Sequence, residues 1–254
     1  AHAIVGGLLA APLRATPCTN QPCCLDGTGN LTWEACETPV THSTVNQTEC
    51  MTVTRWREVL GFANDAGLDL VLGLPFLDGC SEDCAWDSQN SEALLLYTRD
   101  SLRAAGSNVR VFGVELGEEM SPAPSTVKFV NYLGAYRQWK AGVSKLWPAG
   151  DNETRPLVLG PCAGMNDEDP AYHNTAFIKE FLNLSLAEGL IDGICMHSYN
   201  DDGGANWTEP PLLNQTLREA KSMLQWARDY SPPGTTPAPV WCGECGPHNH
   251  GGIN

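Results

Sequence analysis

The chain has 254 residues, with 15 basic and 30 acidic side chains and a formal net charge of −15 at pH 7. This length suits one large α/β barrel or two small domains with a buried core. Because the basic residues never cluster, the charge argues against binding to nucleic acid or an anionic membrane surface, and mildly against a long sulfated polysaccharide. No apolar run approaches the roughly 20 residues of a transmembrane helix. The chain begins without Met or a signal-like segment, so we expect an internal piece of a longer polypeptide.

The amino-terminal region predicts a helix over Ala3–Ala10 and a short strand over Pro12–Ala15. A Cys-, Thr- and Asn-rich excursion over residues 17–50 follows, and disulfides are expected to hold it. After residue 50, apolar periodicity predicts alternating helices and strands. The helices are Val53–Ala66, Ser91–Ala105, Thr126–Leu146, Ala176–Glu188 and Leu212–Tyr230, and the strands are Leu68–Leu74, Arg110–Leu116, Pro156–Gly160, Gly193–His197 and Pro239–Gly243.

This alternation predicts βα units and a parallel sheet, in either a barrel or a doubly wound fold. No Gly-x-Gly-x-x-Gly or Walker loop follows a strand, which disfavours a nucleotide-binding fold. We expect one domain over residues 1–254, interrupted by the Cys-rich excursion.

Two segments, Val114–Glu119 and Pro239–Glu244, each predict a buried strand that ends at a carboxylate. Two such carboxylates in one α/β pattern are what acid/base-plus-nucleophile hydrolysis of a glycosidic bond requires. The simpler alternative is a pair of solvated strand-end carboxylates. Glu115 lies on the strand before Glu119, and we expect it to be a buried, hydrogen-bonded structural carboxylate.

Cysteines and glycosylation sequons both indicate the secretory pathway. Seven of the 11 Cys lie between Cys18 and Cys84, with one His among them and no paired Cys-x-x-Cys, so disulfides are favoured over a metal cluster. We therefore expect a glycoprotein that is secreted or resides in a lysosomal or vacuolar lumen. The six Asn-x-Ser/Thr sequons are at Asn30, Asn46, Asn152, Asn183, Asn206 and Asn214.

Six segments resemble heparanase-type enzymes of glycoside hydrolase family 79, especially plant and algal members, and two of them are Pro156–Pro161 and Cys50–Trp56. Val114–Glu119 resembles the family's acid/base strand Trp-Glu-Leu-Gly-Asn-Glu, and Val240–Glu244 resembles its nucleophile strand Val-Trp-Leu/Val-Gly-Glu. Gly67–Pro75 resembles the strand Gly-Leu-Asp-Leu-Ile-Phe-Gly-Leu-Asn, and Met196–Asn200 resembles the segment His-His-x-Tyr-Asn. The motifs occur in the family's order, over about residues 3–252.

The resemblance implies a TIM (β/α)8 barrel of which this chain holds about six strands. The first and eighth strands and the carboxyl-terminal β-sandwich are missing, so the rest of the polypeptide or a partner chain is expected to close the barrel. It also implies a retaining mechanism on a glucuronide-containing or related extracellular glycan, with Glu119 as acid/base and Glu244 as nucleophile and no cofactor or metal. The substrate contacts expected from the resemblance are Glu118, His197, Tyr199, Asn200 and Trp241. For His197 and Tyr199 the alternatives are a nucleophile-orienting role and plain packing.

Three departures from the family pattern leave a second interpretation open. Glu118 replaces the family's Asn before the acid/base, Pro75 replaces an Asn, and Met196 replaces the first His of a pair. A carboxylate at position 118 can accept a hydrogen bond from a sugar hydroxyl but cannot donate one. The alternative is a catalytically inactive extracellular glycoprotein that uses the barrel as a structural or glycan-binding scaffold.

Two patterns near Glu244 have simpler explanations than their spacing suggests. The segment Pro247–His250 contains two His but no further ligand at helical spacing, so we expect a loop at the pocket rim rather than a metal site. Cys242-x-x-Cys245 resembles a redox motif in spacing alone. Because it flanks a predicted buried strand and opens no helix, we expect no reactive thiol there.

Overall fold

The computed structural model describes residues 2–4, 53–74, 76, 86, 88–117, 129–148, 154–165, 174–199 and 214–246. The predicted strand at Pro12–Ala15, the excursion over residues 17–50 and the segment Pro247–His250 lie outside the described residues. Among the described residues, no helix combines the length and apolar character needed to cross a membrane.

Strands and helices alternate along the described chain, and the strand pairings are parallel. Within each group of paired strands, strand order follows chain order, without the reversal that defines a doubly wound sheet. The predicted α/β class is thus confirmed, as an incomplete (β/α)8 barrel. The elements are β1 His2–Ile4, α1 Val53–Ala66, β2 Asp69–Leu74, α2 Gln89–Ala104, β3 Val111–Leu116, α3 Phe129–Leu146, β4 Leu157–Gly164, α4 Asn174–Ala187, β5 Gly193–Tyr199, α5 Gln215–Tyr230 and β6 Val240–Gly246.

The helix predicted over Ala3–Ala10 is wrong at its start. His2–Ile4 forms β1, which pairs with β2 in the register His2↔Asp69 and Ile4↔Val71. A short apolar run cannot distinguish helix from buried strand by periodicity alone, and β-branched residues such as Ile4 favour the strand.

Strand β4 continues four residues beyond the predicted end at Gly160. The residue after the predicted end is Pro161, and proline cannot donate to a ladder hydrogen bond. The strand continues because a β-bulge follows: Pro161 pairs with Cys195 and Ala163 with Met196, so Cys162 is the extra residue. Cys162 has a φ of 50°, in the left-handed region that non-glycine residues adopt at some cost.

The chain divides into two compact units, the first formed by residues 1–117 and 137–157. Its sheet contains β1, β2 and β3, and α1 is joined to α2 through a hydrogen bond from Trp56 Nε1 to Thr98 Oγ1 (2.9 Å). Both side chains are fully buried. Trp86 meets Trp139 edge to face with 5.6 Å between ring centroids, so aromatic packing fills this core.

The second unit, residues 118–136 and 158–254, contains β4, β5, β6, α4, α5 and the first part of α3. Two tyrosines of α3 donate to backbone carbonyls of β4: Tyr132 to Pro161 (3.2 Å) and Tyr136 to Leu159 (3.0 Å). Burial raises the pKa of Tyr136 well above its ordinary value, and the neighbouring Tyr132 raises it further. These hydrogen bonds attach the helix to the strand through a buried, uncharged contact.

Candidate active site

A β-bulge in β6 determines where Glu244 lies. Strand β5 is regular, and along it Met196 pairs with Cys242 while the next residue, His197, pairs with Glu244. Gly243 is therefore the extra residue on β6. A side chain there would place a Cβ 2.6 Å from Cys195 Sγ and 3.4 Å from His197 Nε2. Only glycine fits this contact, and the bulge sets Glu244 beside His197.

The carboxylate of Glu244 is held from β5. Tyr199 donates its hydroxyl hydrogen to Glu244 Oε2 at 2.6 Å. His197 Nδ1 lies 3.9 Å from the same oxygen, too far for a hydrogen bond, and attracts it when the imidazole is protonated. The His197 side chain is 2% exposed, against 34% for that of Glu244. The site thus holds a partly accessible carboxylate with a buried histidine behind it.

His197 and Tyr199 reach Glu244 together because side chains two apart in a strand share a face. The intervening Ser198 points the other way and hydrogen-bonds Thr216 Oγ1 on α5 (3.0 Å). Met196 shares the face of Ser198, so it lies on the side of β5 that packs against helix. The substitution of the family's first His by Met196 therefore falls on the face opposite to Glu244.

Trp241 shares the Glu244 side of the sheet but is directed towards the beginning of β5. It pairs with Cys195, and its Nε1 lies 3.4 Å from where a Cβ on Gly193 would be. Gly193 comes four residues before His197 on β5. The role of Trp241 as a substrate contact stays a prediction.

Three predicted site residues, Glu118, Glu119 and Asn200, lie outside the described residues, and their roles stay predictions. Glu119 follows β3 by three positions in the sequence. Gly117, with a φ of 71°, takes the chain out of β3 while its N–H donates to the Leu74 carbonyl (2.7 Å). Glu115 is buried in β3, as expected of a structural carboxylate.

The prediction that β6 is buried is wrong. Its residues are half-buried or exposed, and it continues past Glu244 to Gly246. Among the described residues β6 pairs with β5 alone, so one side of the strand has no neighbour there. Cys242 and Cys245 are both exposed and are joined by a disulfide within the strand.

Two residues of this site were missed in the sequence, Gly243 and Cys195. A glycine inside a strand pattern indicates a bulge or a close approach, and that signal could have identified Gly243. Nothing in the sequence distinguishes Cys195, which is buried, as the neighbour of that glycine.

Two of the six predicted glycosylation asparagines are described, and both are exposed. Asn183 lies within α4, and the hydroxyl-bearing residue of its sequon, Ser185, is fully buried. Asn214 immediately precedes α5. The other four, Asn30, Asn46, Asn152 and Asn206, lie outside the described residues.

Parallel βα units with a glutamate held near the carboxyl end of a strand are typical of enzymes built on α/β barrels. Residues 40–254 match glycosyl hydrolase family 79, N-terminal domain, and the chain therefore belongs to this family of glycoside hydrolases. No curated protein matches the chain in sequence.

Among solved structures, the chain is similar to AbfB, a family 51 alpha-L-arabinofuranosidase from Bifidobacterium longum. The TM-score is 0.47 and the sequence identity 14%, over 74% of this chain and 38% of that chain. The chain thus spans less than half the length of that enzyme.

Proposed function

We propose that the full-length protein is a retaining glycoside hydrolase with Glu244 as nucleophile and Glu119 as acid/base. Its substrate would be an extracellular glycan containing glucuronide or a related sugar. The observation that carries the proposal is the 2.6 Å hydrogen bond from Tyr199 to Glu244, in a chain of family 79. A nucleophile must be held in one orientation before attack, and this bond supplies that constraint.

In the proposed first step, one oxygen of Glu244 attacks the anomeric carbon while Glu119 protonates the leaving oxygen. The glycosidic bond breaks and a glycosyl-enzyme ester forms. In the second step Glu119 removes a proton from water, whose oxygen attacks the same carbon and releases Glu244. This chemistry requires the two carboxyl groups to be roughly 5–5.5 Å apart.

Tyr199 and His197 would both hold the nucleophile Glu244 in position, each through a different interaction. The Tyr199 hydroxyl fixes the orientation of Oε2, and a hydrogen bond to a charged carboxylate is roughly twice as strong as a neutral one. The buried His197 ring has its Nε2 3.4 Å from where a Cβ on Gly243 would be, and its Nδ1 lies 3.9 Å from the same oxygen. We infer that both act as positioning residues for Glu244.

Charge supports a sparsely charged glycan as substrate. The net charge of −15 would repel a heavily sulfated polymer. Glu118, where the family has Asn, would add a negative charge beside the site and accept rather than donate a hydrogen bond. We propose that the protein acts outside the cell or in a lysosomal or vacuolar lumen, in keeping with its six sequons and 11 Cys.

A non-catalytic glycan-binding scaffold is the second candidate, and Glu118 is the observation that favours it. Loss of the family's Asn removes a hydrogen-bond donor expected beside the nucleophile. Met196 adds nothing to this alternative, because it lies on the helix-facing side of β5.

Replacement of each proposed catalytic carboxylate tests the assignment. Glu244→Gln and Glu119→Gln in the full-length protein should each lower kcat on an aryl β-glucuronide by about 10³-fold or more. Glu180→Gln is the matched control, since Glu180 lies exposed on α4 and should leave turnover unchanged. Undiminished turnover in Glu244→Gln would eliminate the proposed mechanism, and absence of turnover in the wild type would favour the scaffold.

A further inference from the structure

The disulfide between Cys242 and Cys245 encloses the proposed nucleophile within a ring of four residues. Gly243 and Glu244 are the two residues between the cysteines. The Cα atoms of Cys242 and Cys245 are 6.0 Å apart, within the range usual for disulfides. All four residues of the ring belong to β6.

The bulge explains how a disulfide can form inside one strand. In a regular strand, residues three apart point to opposite faces. Gly243 is the extra residue on β6, and one extra residue shifts the alternation so that positions 242 and 245 reach the same face. The disulfide therefore spans the same bulge that places Glu244 opposite His197.

We propose that the Cys242–Cys245 disulfide is a redox-sensitive clamp that positions Glu244. The clamp rests on the proposed function, because its effect on activity requires Glu244 to be the nucleophile. When the disulfide is intact, the bulge is closed covalently on the exposed side of β6 and by Cys195 and His197 on the other. When it is open, the exposed side loses that constraint and Glu244 is aligned with Tyr199 less well.

Opening the clamp is an ordinary thiol–disulfide exchange with a thiol reductant. A thiolate of the reductant attacks one sulfur, the Cys242–Cys245 bond breaks, and a mixed disulfide forms with one protein cysteine. A second thiol of the reductant displaces that cysteine. Both protein cysteines end as thiols, and the reductant, having supplied two electrons and two protons, ends as a disulfide.

The exposure of Cys242 and Cys245 and the short loop between them indicate that the disulfide controls local geometry and adds little to the stability of the fold. Both cysteines are exposed, so a reductant can reach the bond. A disulfide that closes a short loop stabilises the folded chain least, because it removes little entropy from the unfolded one. By contrast, Cys162 and Cys195 are buried.

The test combines peptide mapping with kinetics on the oxidised full-length protein. Non-reducing mass mapping should recover Cys242 linked to Cys245. Mild reduction with dithiothreitol, followed by alkylation, should label both cysteines and lower kcat on an aryl β-glucuronide about tenfold, with KM changed by less than about twofold. The variant C242S/C245S should already show the lower kcat and not respond to reduction, which separates this bond from other disulfides.

Three results would overturn the clamp: free thiols at positions 242 and 245 in the active oxidised protein, unchanged kcat when mapping shows the bond open, or wild-type kcat in C242S/C245S. If Glu244→Gln is inactive under those conditions, the proposed function stands without the clamp. If Glu244→Gln retains activity, or the oxidised wild type has none, both the proposed function and the clamp fail.

Discussion

At the scale of single residues, the site is built from side chains that share one face of β5. Cys195, His197 and Tyr199 follow at intervals of two, and the last two approach the same oxygen of Glu244. The resemblance to family 79 predicted a role for His197 and Tyr199. It could not predict the contact with Glu244, because that depends on a one-residue bulge in a different strand.

Tyr199→Phe removes the hydroxyl that donates to Glu244 and keeps the ring. A hydrogen bond to a charged group is worth about 1.5–3 kcal/mol, so kcat/KM on an aryl β-glucuronide should fall by about 10- to 100-fold. Tyr97→Phe is the matched control, since the Tyr97 hydroxyl accepts a hydrogen bond from Arg57 Nε (2.7 Å) on an exposed part of the first unit. Equal kcat/KM in the two variants would remove Tyr199 from the mechanism.

Gly243→Ala places a methyl group against Cys195 Sγ and His197 Nε2. Overpacking of this kind costs about 1–3 kcal/mol, so both the free energy of unfolding and kcat should fall. Denaturant titration and steady-state kinetics measure the two effects.

Two further variants make the Gly243→Ala result specific. Gly134→Ala, in α3 with no atom within 4 Å of the new Cβ, should raise stability by up to about 1 kcal/mol. Cys195→Ala combined with Gly243→Ala should recover part of the loss, because the nearest clashing atom is gone. A double variant no better than the sum of its parts would show that the Cys195 contact is not the cause.

At the scale of elements, a regular strand lies between two bulged ones. Strand β5 pairs with β4 around the extra residue Cys162 and with β6 around the extra residue Gly243. Bulges occur often beside active sites because they redirect side chains. Periodicity predicted the helices and strands closely, α1 to the residue. It placed the ends of β4 and β6 too early, since bulges and strand-end glycines interrupt the alternating pattern without ending the strand.

Tyr136→Phe tests how α3 is attached to β4. The variant leaves the Leu159 carbonyl without the Tyr136 donor, and the free energy of unfolding should fall by about 1–2 kcal/mol at neutral pH. Because burial raises the pKa of Tyr136, the unfolded chain loses this proton first as pH rises above about 10, and wild-type stability should fall with pH there.

Phenylalanine has no such proton, so the pH dependence above about 10 should be shallower in Tyr136→Phe than in the wild type. Urea titrations across that range measure the slopes. Parallel slopes would mean that Tyr136 ionises as readily in the folded protein as in the unfolded chain.

At the scale of the whole molecule, the order of helices, strands and motifs along the chain was what best predicted the fold class and the family. Alternating helices and strands predicted the α/β class, and motifs in the order of family 79 predicted a family that the match over residues 40–254 confirms. The sequence erred where local cues compete: β1 in place of a helix start, and β6 half-exposed rather than buried. Exposure of β6 depends on which strands flank it, which no local pattern records.

The most direct test of the central claim is covalent trapping of the nucleophile. The full-length protein is incubated with an activated 2-deoxy-2-fluoro-β-glucuronide, which forms the glycosyl-enzyme but slows its hydrolysis, and is then mapped by peptide mass spectrometry. We predict one adduct, on Glu244, absent from Glu244→Gln and formed more slowly in Tyr199→Phe. An adduct on a different carboxylate, or no adduct from a protein that hydrolyses aryl β-glucuronides, would contradict the assignment of Glu244 as nucleophile.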